Sequence, residues 1–136
     1  MARVELIMAR PHTVAEISCR TERRPRDFDP SVREFLDEWQ SMSAARRAEA
    51  LADEPQRLGG VKDAYLAALA EHLALSDRLP VPQWTEQPDR FLTEPFFAGG
   101  LESLKAILLV ESPLAFRRRL IFISADGLSR PNRLMA

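Results

Sequence analysis

The feature that most constrains the fold is an uninterrupted stretch from Lys62 to Ser76 that contains neither proline nor glycine. Its apolar side chains recur at helical spacing, which predicts a helix with a broad apolar face. Gly59-Gly60 forms a flexible break before it, and Pro80-Val81-Pro82 must be extended after it. The predicted face consists of Tyr65, Leu66, Leu69, His72, Leu73 and Leu75.

Two further helices are predicted before this one. Ser31 and Glu34 fit a capping box, in which each side chain accepts from the other residue's amide, and an apolar stripe follows it. Ser43 can cap a short helix that stops before Pro55. The stripe of the first of these helices is Val32, Phe35, Leu36 and Trp39.

Two more helices are predicted towards the end of the sequence. One runs from Leu101 to Glu111, with Leu101, Leu104, Ile107 and Leu108 on one face. Ser112-Pro113 is typical of a cap and first helical position, and predicts a short helix through Arg119. The residues from Leu120 to Ile123 are β-prone.

Residues 1–30 show no sustained helical period, and they are interpreted as a poorly ordered N-terminal arm or a weak hairpin. Val4 to Met8 and Thr13 to Cys19 are its candidate strands. The predicted fold is therefore mainly α: a small helical domain of about five helices with one or two short strands. Its predicted limits are residues 31–131, and residues 132–136 form a tail.

Composition limits the classes of function. The single cysteine excludes an internal disulfide, and the two histidines, 60 positions apart, give no spacing typical of a metal site. No phosphate-binding loop or nucleophile motif is present, so we expect no enzyme, no cofactor and no metal. The short apolar runs exclude a membrane-spanning helix, and we expect a soluble, cytoplasmic protein with no membrane partner.

Charged and aromatic residues supply the candidate partner-binding sites. Residues 31–100 are acidic and residues 101–136 are basic, and all but two of the 19 cationic residues are arginine. The first candidate is the triplet Arg117, Arg118 and Arg119, which could contact phosphate or an acidic surface, or form a solvated helix end. The second is the aromatic segment from Trp84 to Phe97, with Phe91 and Phe96 between them, which packs either in the core or against a partner.

A third basic segment, from Arg20 to Arg26, is either a solvated tail or an arm that binds nucleic acid. The sequence pI of about 6.1 lies far below the value of about 9 that is usual for nucleic-acid-binding domains. Binding to nucleic acid is therefore the alternative interpretation, with the arginine clusters as its contacts.

Several short motifs occur in one order between residues 31 and 131, and together they resemble a family of small bacterial proteins that accompany minimal nucleotidyltransferase-like toxins. Longer versions in that family carry an N-terminal helix-turn-helix, which this sequence lacks, and this weakens the expectation that it represses its own operon. The motifs are Phe35-Leu36-Asp37-Glu38-Trp39, the helix from Asp63 to His72, Pro82-Gln83-Trp84, Phe91-Leu92, Pro95-Phe96-Phe97, Leu101-Glu102-Ser103-Leu104-Lys105, Glu111-Ser112-Pro113, Phe116-Arg117-Arg118-Arg119, Ile121-Phe122-Ile123 and Leu128-Ser129-Arg130.

The resemblance implies an antitoxin-like protein that binds its cognate nucleotidyltransferase-type toxin and covers the active site of that enzyme. It provides no catalytic residues, so the expected contacts come from side-chain chemistry alone. Arginines could pair with the metal-binding carboxylates of the toxin, and aromatic side chains could slow release of the complex. The expected contact residues are Trp84, Phe91, Phe96, Phe97, Arg117, Arg118 and Arg119.

Overall fold

The structure, a computed structural model, describes residues 10–98, 105–124 and 128. These residues form six α-helices, three short 3₁₀ helices and one two-stranded sheet, so the prediction of a mainly helical fold is confirmed. The chain divides into two compact units, Met1–Leu58 and Gly59–Ala136, named here the N-terminal unit and the C-terminal unit.

Helices α1 (Val14–Arg23), α2 (Phe28–Trp39) and α3 (Ala44–Ala52) form the N-terminal unit, and a 3₁₀ turn at Pro25–Asp27 joins the first two. Its core consists of aliphatic and aromatic side chains that all three helices contribute, so each helix is held by burial of one apolar face. The buried side chains include Val14, Ile17, Phe35, Leu36, Trp39 and Leu51.

Helix α1 occupies the second candidate strand of the N-terminal segment, Thr13 to Cys19, and that strand prediction is wrong. The Thr13 hydroxyl accepts a hydrogen bond from the Glu16 amide at 3.0 Å, and the Glu16 carboxylate accepts from the His12 amide at 2.6 Å. These bonds satisfy amides that have no partner within the helix. Val14 and Ile17 are buried on one face of the helix, and this burial stabilises the helix in spite of the weak alternation that favours a strand.

Helix α2 begins four residues earlier than predicted, at Phe28 instead of Val32, and so the boundary predicted between residues 30 and 31 lies inside it. Pro30 is tolerated there because amides in the first turn have no helical acceptor to lose. Ser31 is consequently not a cap but a buried residue within the helix, which corrects the capping-box prediction. The predicted apolar stripe from Val32 to Trp39 is buried and is confirmed.

Helix α3 agrees with its prediction. The Ser43 hydroxyl accepts from the Arg46 amide at 3.3 Å and caps the helix. Ala50 and Leu51 bury the apolar side, and the helix ends at Ala52, before Pro55.

The C-terminal unit is built on α4 (Val61–Ser76), which confirms the strongest sequence prediction. Two 3₁₀ helices follow at Gln83–Glu86 and Pro88–Arg90, and then β1 (Phe96–Phe97), α5 (Lys105–Glu111), α6 (Leu114–Arg117) and β2 (Ile121–Phe122). The alanine-rich surface of α4 is buried on nearly all sides, because the later elements pack around it. Leu75 is the exception within the predicted face: its side chain is 54% exposed.

Strands β1 and β2 pair in parallel, with Phe96 opposite Ile121 and Phe97 opposite Phe122. The chain between them holds α5 and α6, a crossover of the kind that parallel strands require. The rings of Phe97 and Phe122 stack at 4.9 Å between centroids. The sheet thus fixes the aromatic segment against the chain that follows the arginine triplet.

The end of α6 and its cap differ from their predictions. Helix α6 ends at Arg117 instead of Arg119, and Pro113 precedes its first helical residue. The Ser112 hydroxyl does not cap α6: it donates to the carbonyl of Ile123 at 2.9 Å and accepts from the amide of Ile123 at 2.8 Å. Ile123 directly follows the two residues of β2, so its amide and carbonyl have no partner within the sheet, and the Ser112 hydroxyl pairs with them instead.

Some predictions lie outside the described residues. These are the candidate strand from Val4 to Met8, the first residues of the predicted helix from Leu101 and the tail at 132–136.

Candidate partner-binding surface

The arginine triplet lies where α6 ends, and its three side chains have three different environments. Arg119 is fully buried in the C-terminal unit. Its guanidinium donates to the Glu71 carboxylate at 2.6 Å, to the Ala115 carbonyl at 2.8 Å and to the Thr85 carbonyl at 2.8 Å. Arg119 therefore joins α4, α6 and the first 3₁₀ helix of the unit.

Backbone geometry explains why Arg119 points inwards. Leu120 has a φ of 64°, in the left-handed region that residues with a Cβ rarely adopt. This residue turns the chain from α6 into β2, and its amide donates to the Arg117 carbonyl at 2.9 Å. The turn places Arg119 and Ile121 in the core while Arg117 remains at the surface.

Arg118 lies at the edge of the same network. Its guanidinium donates to both carboxylate oxygens of Glu71, at 3.0 and 2.9 Å, and to both of Glu86, at 3.0 Å each. Hydrogen bonds to Glu86 and Glu71 raise the pKa of Arg118. Burial lowers the pKa of Arg119, and the hydrogen bond and charge of Glu71 oppose that shift. Two arginines and two glutamates thus balance in charge.

The aromatic segment packs beneath these charges. The guanidinium carbons of Arg119 and Arg118 lie 4.5 and 5.3 Å from the centre of the Phe91 ring, within range of a cation–π interaction. Trp84 is buried and stacks with Arg90, whose guanidinium carbon lies 5.0 Å from the indole ring. Arg90 is itself fully buried and donates to the Asp63 carbonyl at 3.3 Å.

The structure therefore corrects the predicted contact set at Trp84 and Arg119, which are core residues of the C-terminal unit. Phe91 and Phe97 are half-buried, by the arginines and by Phe122 respectively.

Three predicted contact residues remain accessible. Phe96 is 39% exposed, Arg117 is exposed, and Arg118 is partly exposed beside Glu86. Within the part of the chain that the structure describes, Arg117 makes no ion pair.

A short chain of backbone hydrogen bonds relates the two most accessible residues. The Phe96 amide donates to the Leu120 carbonyl at 2.8 Å, and the Leu120 amide donates to the Arg117 carbonyl at 2.9 Å. The candidate surface, named here the Phe96–Arg117 surface, thus presents an aromatic ring and a cation from adjoining backbone segments.

Sequence reasoning missed the glutamates that neutralise the triplet. Glu71 lies 48 positions from Arg119 and Glu86 lies 32 positions from Arg118, so no local spacing connects them. One signal was available: a triplet directly before an apolar strand cannot direct all three side chains to solvent if the strand is buried. It also missed that Leu109, Val110 and Leu114 are exposed.

His72 lies on α4 with its ring 6.2 Å from that of Phe116 in an edge-on arrangement, and burial lowers its pKa. This is the position expected of a histidine at the boundary of the core.

Among residues 10–98, 105–124 and 128, no group of three or more histidine, cysteine, aspartate or glutamate side chains is placed to hold a metal ion. Within those same residues, no helix has the length and apolar character needed to cross a membrane.

No protein family model matches the sequence, and comparisons with curated proteins and with solved structures also found no match.

Proposed function

We propose that the protein is an antitoxin-like interaction protein that binds a nucleotidyltransferase-type toxin through the Phe96–Arg117 surface. The observation that carries the proposal is that the exposed Phe96 and Arg117, which makes no ion pair within the described residues, lie on adjoining hydrogen-bonded segments of backbone. An aromatic anchor beside an arginine is the composition of an interface hot spot. The motif series between residues 31 and 131 supplies the class of partner.

The geometry refines how such a protein would act. Arg119 donates to Glu71, and Arg118 donates to Glu71 and Glu86, so these carboxylates neutralise Arg119 and most of the charge of Arg118. Arg117 is therefore the residue of the triplet whose full charge can pair with carboxylates of a toxin. Arg118 can exchange Glu86, which is half exposed, for an acidic group of the partner. A planar guanidinium suits such bidentate pairing.

Co-purification with the product of the adjacent gene tests this proposal. We expect a complex that survives gel filtration at micromolar concentration and releases cells from growth arrest by the toxin. Arg117→Glu should weaken the complex by at least about tenfold, since the charge that meets the carboxylates is reversed.

Arg23→Glu is the matched control, because Arg23 is an exposed arginine of the N-terminal unit. It should leave the complex unchanged. Absence of a complex with the wild-type chain would contradict the proposal, and equal weakening by both variants would contradict the assignment of the surface.

Nucleic-acid binding is the second candidate, and one observation in the N-terminal unit favours it. Arg23, Arg26 and Arg33 are exposed, and within the described residues none of them makes an ion pair. Binding of a duplex through these residues should weaken steeply with salt, because each neutralised phosphate contributes about 0.9 to the logarithmic slope. Replacement of all three with alanine should reduce that slope, whereas Arg117→Ala should not.

A further inference from the structure

The Glu86 carboxylate lies on the exposed side of the charge network that holds Arg118 and Arg119. The Arg118 guanidinium donates to its two oxygens at 3.0 Å each, and within the described residues the Glu86 side chain has no other partner. The Glu86 side chain is 51% exposed and that of Arg118 is 38% exposed. An ion pair with this exposure contributes little to stability, because water competes for both groups. Glu86 can therefore leave Arg118 at a small cost in free energy.

The position of Arg118 does not depend on Glu86. Its guanidinium also donates to both oxygens of Glu71, at 3.0 and 2.9 Å, and the Glu71 side chain is buried on α4. Its guanidinium carbon lies 5.3 Å from the centre of the Phe91 ring. These contacts orient the guanidinium from the inner side of the network. The N–H groups that Glu86 occupies are thus held in advance for another acceptor, which lowers the entropic cost of binding it.

The charges indicate which acceptor fits. Without Glu86, two arginines and the Glu71 carboxylate leave one net positive charge. A carboxylate carries one negative charge, and its two oxygens match the pair of donors that Glu86 fills. A phosphate dianion would add a second negative charge beside Glu71, which is bonded to the same guanidinium. A carboxylate is therefore favoured over a phosphate.

We propose that Arg118 is a binding site for the carboxylate of an acidic side chain of a partner protein, and that Glu86 is an autoinhibitory occupant of this site. The partner carboxylate displaces Glu86 and takes over its two hydrogen bonds, while Glu71 and Phe91 keep the guanidinium in place. This inference rests on the proposed function for the identity of the partner, but the site itself can be tested on the chain alone.

An NMR titration of the full chain with a blocked peptide tests the site. The probe is acetyl-Gly-Glu-Gly-amide, and acetyl-Gly-Gln-Gly-amide is the matched peptide without the charge. The Nε–H resonance of Arg118, assigned by its loss in Arg118→Lys, reports this site separately from the other arginines. We expect the glutamate peptide to shift the resonance with saturation at constant ionic strength, and the glutamine peptide to leave it in place.

Removal of the internal competitor is the second measurement. The apparent affinity of a site falls with the fraction of molecules in which it is open, so Glu86→Gln should lower the dissociation constant of the glutamate peptide by roughly two- to fivefold. Glu111→Gln is the matched control. Glu111 is an exposed glutamate of the same unit that makes no ion pair within the described residues, and its substitution changes the net charge equally. The control should leave the dissociation constant unchanged.

Several results would overturn the proposal. Equal shifts of the Arg118 resonance by the two peptides would show that it does not recognise a carboxylate. Equal effects of Glu86→Gln and Glu111→Gln, or no effect of either, would show that Glu86 does not inhibit the site. A large decrease in the urea midpoint of Glu86→Gln would make Glu86 a structural residue instead. Tighter binding of inorganic phosphate, added as the dianion, would overturn the choice of a carboxylate.

Failure of this inference is distinguishable from failure of the proposed function. If the glutamate peptide binds at Arg118 but no toxin complex forms, the proposed function fails and the carboxylate site stands. If a toxin complex forms but the peptide does not shift the Arg118 resonance, this inference fails alone.

Discussion

The two units of the chain differ in whether they bury arginine. In the N-terminal unit, arginine remains at or near the surface: Arg20 pairs with Glu34 at 3.0 Å, and Arg10 pairs with Glu38 at 3.1 Å, with the side chains partly exposed. In the C-terminal unit, Arg90 and Arg119 are fully buried beside carboxylates and aromatic rings. The difference shows that an arginine cluster does not by itself define a charged surface, because distant carboxylates decide which members are exposed.

Each unit contains one tryptophan, Trp39 in the N-terminal unit and Trp84 in the C-terminal unit, and both are buried. Labelling with 5-fluorotryptophan therefore gives one ¹⁹F resonance for each unit without any substitution. The unfolding of the two units can then be followed separately in one sample.

The largest expected effect is that of Arg119→Ala. The substitution leaves Glu71 buried without the closest of its partners and removes the bonds to Ala115 and Thr85. Loss of one member of a buried ion pair costs about 3–5 kcal/mol, so the Trp84 resonance should show the unfolded state at a much lower urea concentration. Arg119→Lys should recover only part of this loss, because an ammonium cannot make the same planar set of bonds.

Arg117→Ala provides the control, since this neighbouring arginine is exposed and should change the free energy of unfolding by less than about 0.5 kcal/mol. If both substitutions had similar effects on the Trp84 transition, the distinction between the buried and the exposed arginine would fail.

A smaller effect is expected at the start of α1. Thr13→Ala removes the hydroxyl that accepts from the Glu16 amide and should destabilise the N-terminal unit by about 1 kcal/mol. The Trp39 resonance reports this change, and Thr13→Ser, which retains the hydroxyl, should restore most of the stability. A wild-type transition for Thr13→Ala would mean that the cap does not hold α1 in place.

A still smaller effect is expected for the ion pair of α1 with α2. Arg20→Ala should cost between 0 and about 1 kcal/mol, the range of partly exposed salt bridges, and the cost should decrease in high salt. Comparison with Arg119→Ala measures the contrast between the units directly. If Arg20→Ala lowered the free energy of unfolding as much as Arg119→Ala does, the difference between the exposed arginines of the N-terminal unit and the buried arginines of the C-terminal unit would not hold.

Local patterns predicted the parts of the fold that depend on local interactions. Helix α4 and the apolar stripe of α2 follow from periodicity, and the cap at Ser43 follows from its side chain. Helix α1 could also have been predicted, because Thr13 and Glu16 have the spacing of a capping box and Val14 and Ile17 lie on one face.

The candidate site depended on contacts that no local pattern contains. The burial of Arg119 requires Glu71, from a helix 48 positions earlier, and a left-handed residue at Leu120. The sequence left open whether the aromatic segment packs in the core or against a partner. In the structure its members differ: Trp84 packs in the core and Phe96 is exposed. Only the tertiary structure separates them, because both are large aromatic residues in an irregular, proline-rich stretch.

The smallest expected effect is a dependence of the stability of the C-terminal unit on pH. Burial lowers the pKa of His72 in the folded chain below its ordinary value of 6.5, so the unfolded chain takes up a proton first as the pH falls. His72 therefore contributes its full stability above pH 6.5, and that contribution is lost as the pH falls through the lowered pKa. His72→Phe, which keeps a ring against Phe116, should flatten this slope in the Trp84 transition. His12→Gln should not, since His12 lies in the other unit, and an unchanged slope in His72→Phe would assign the dependence to other groups.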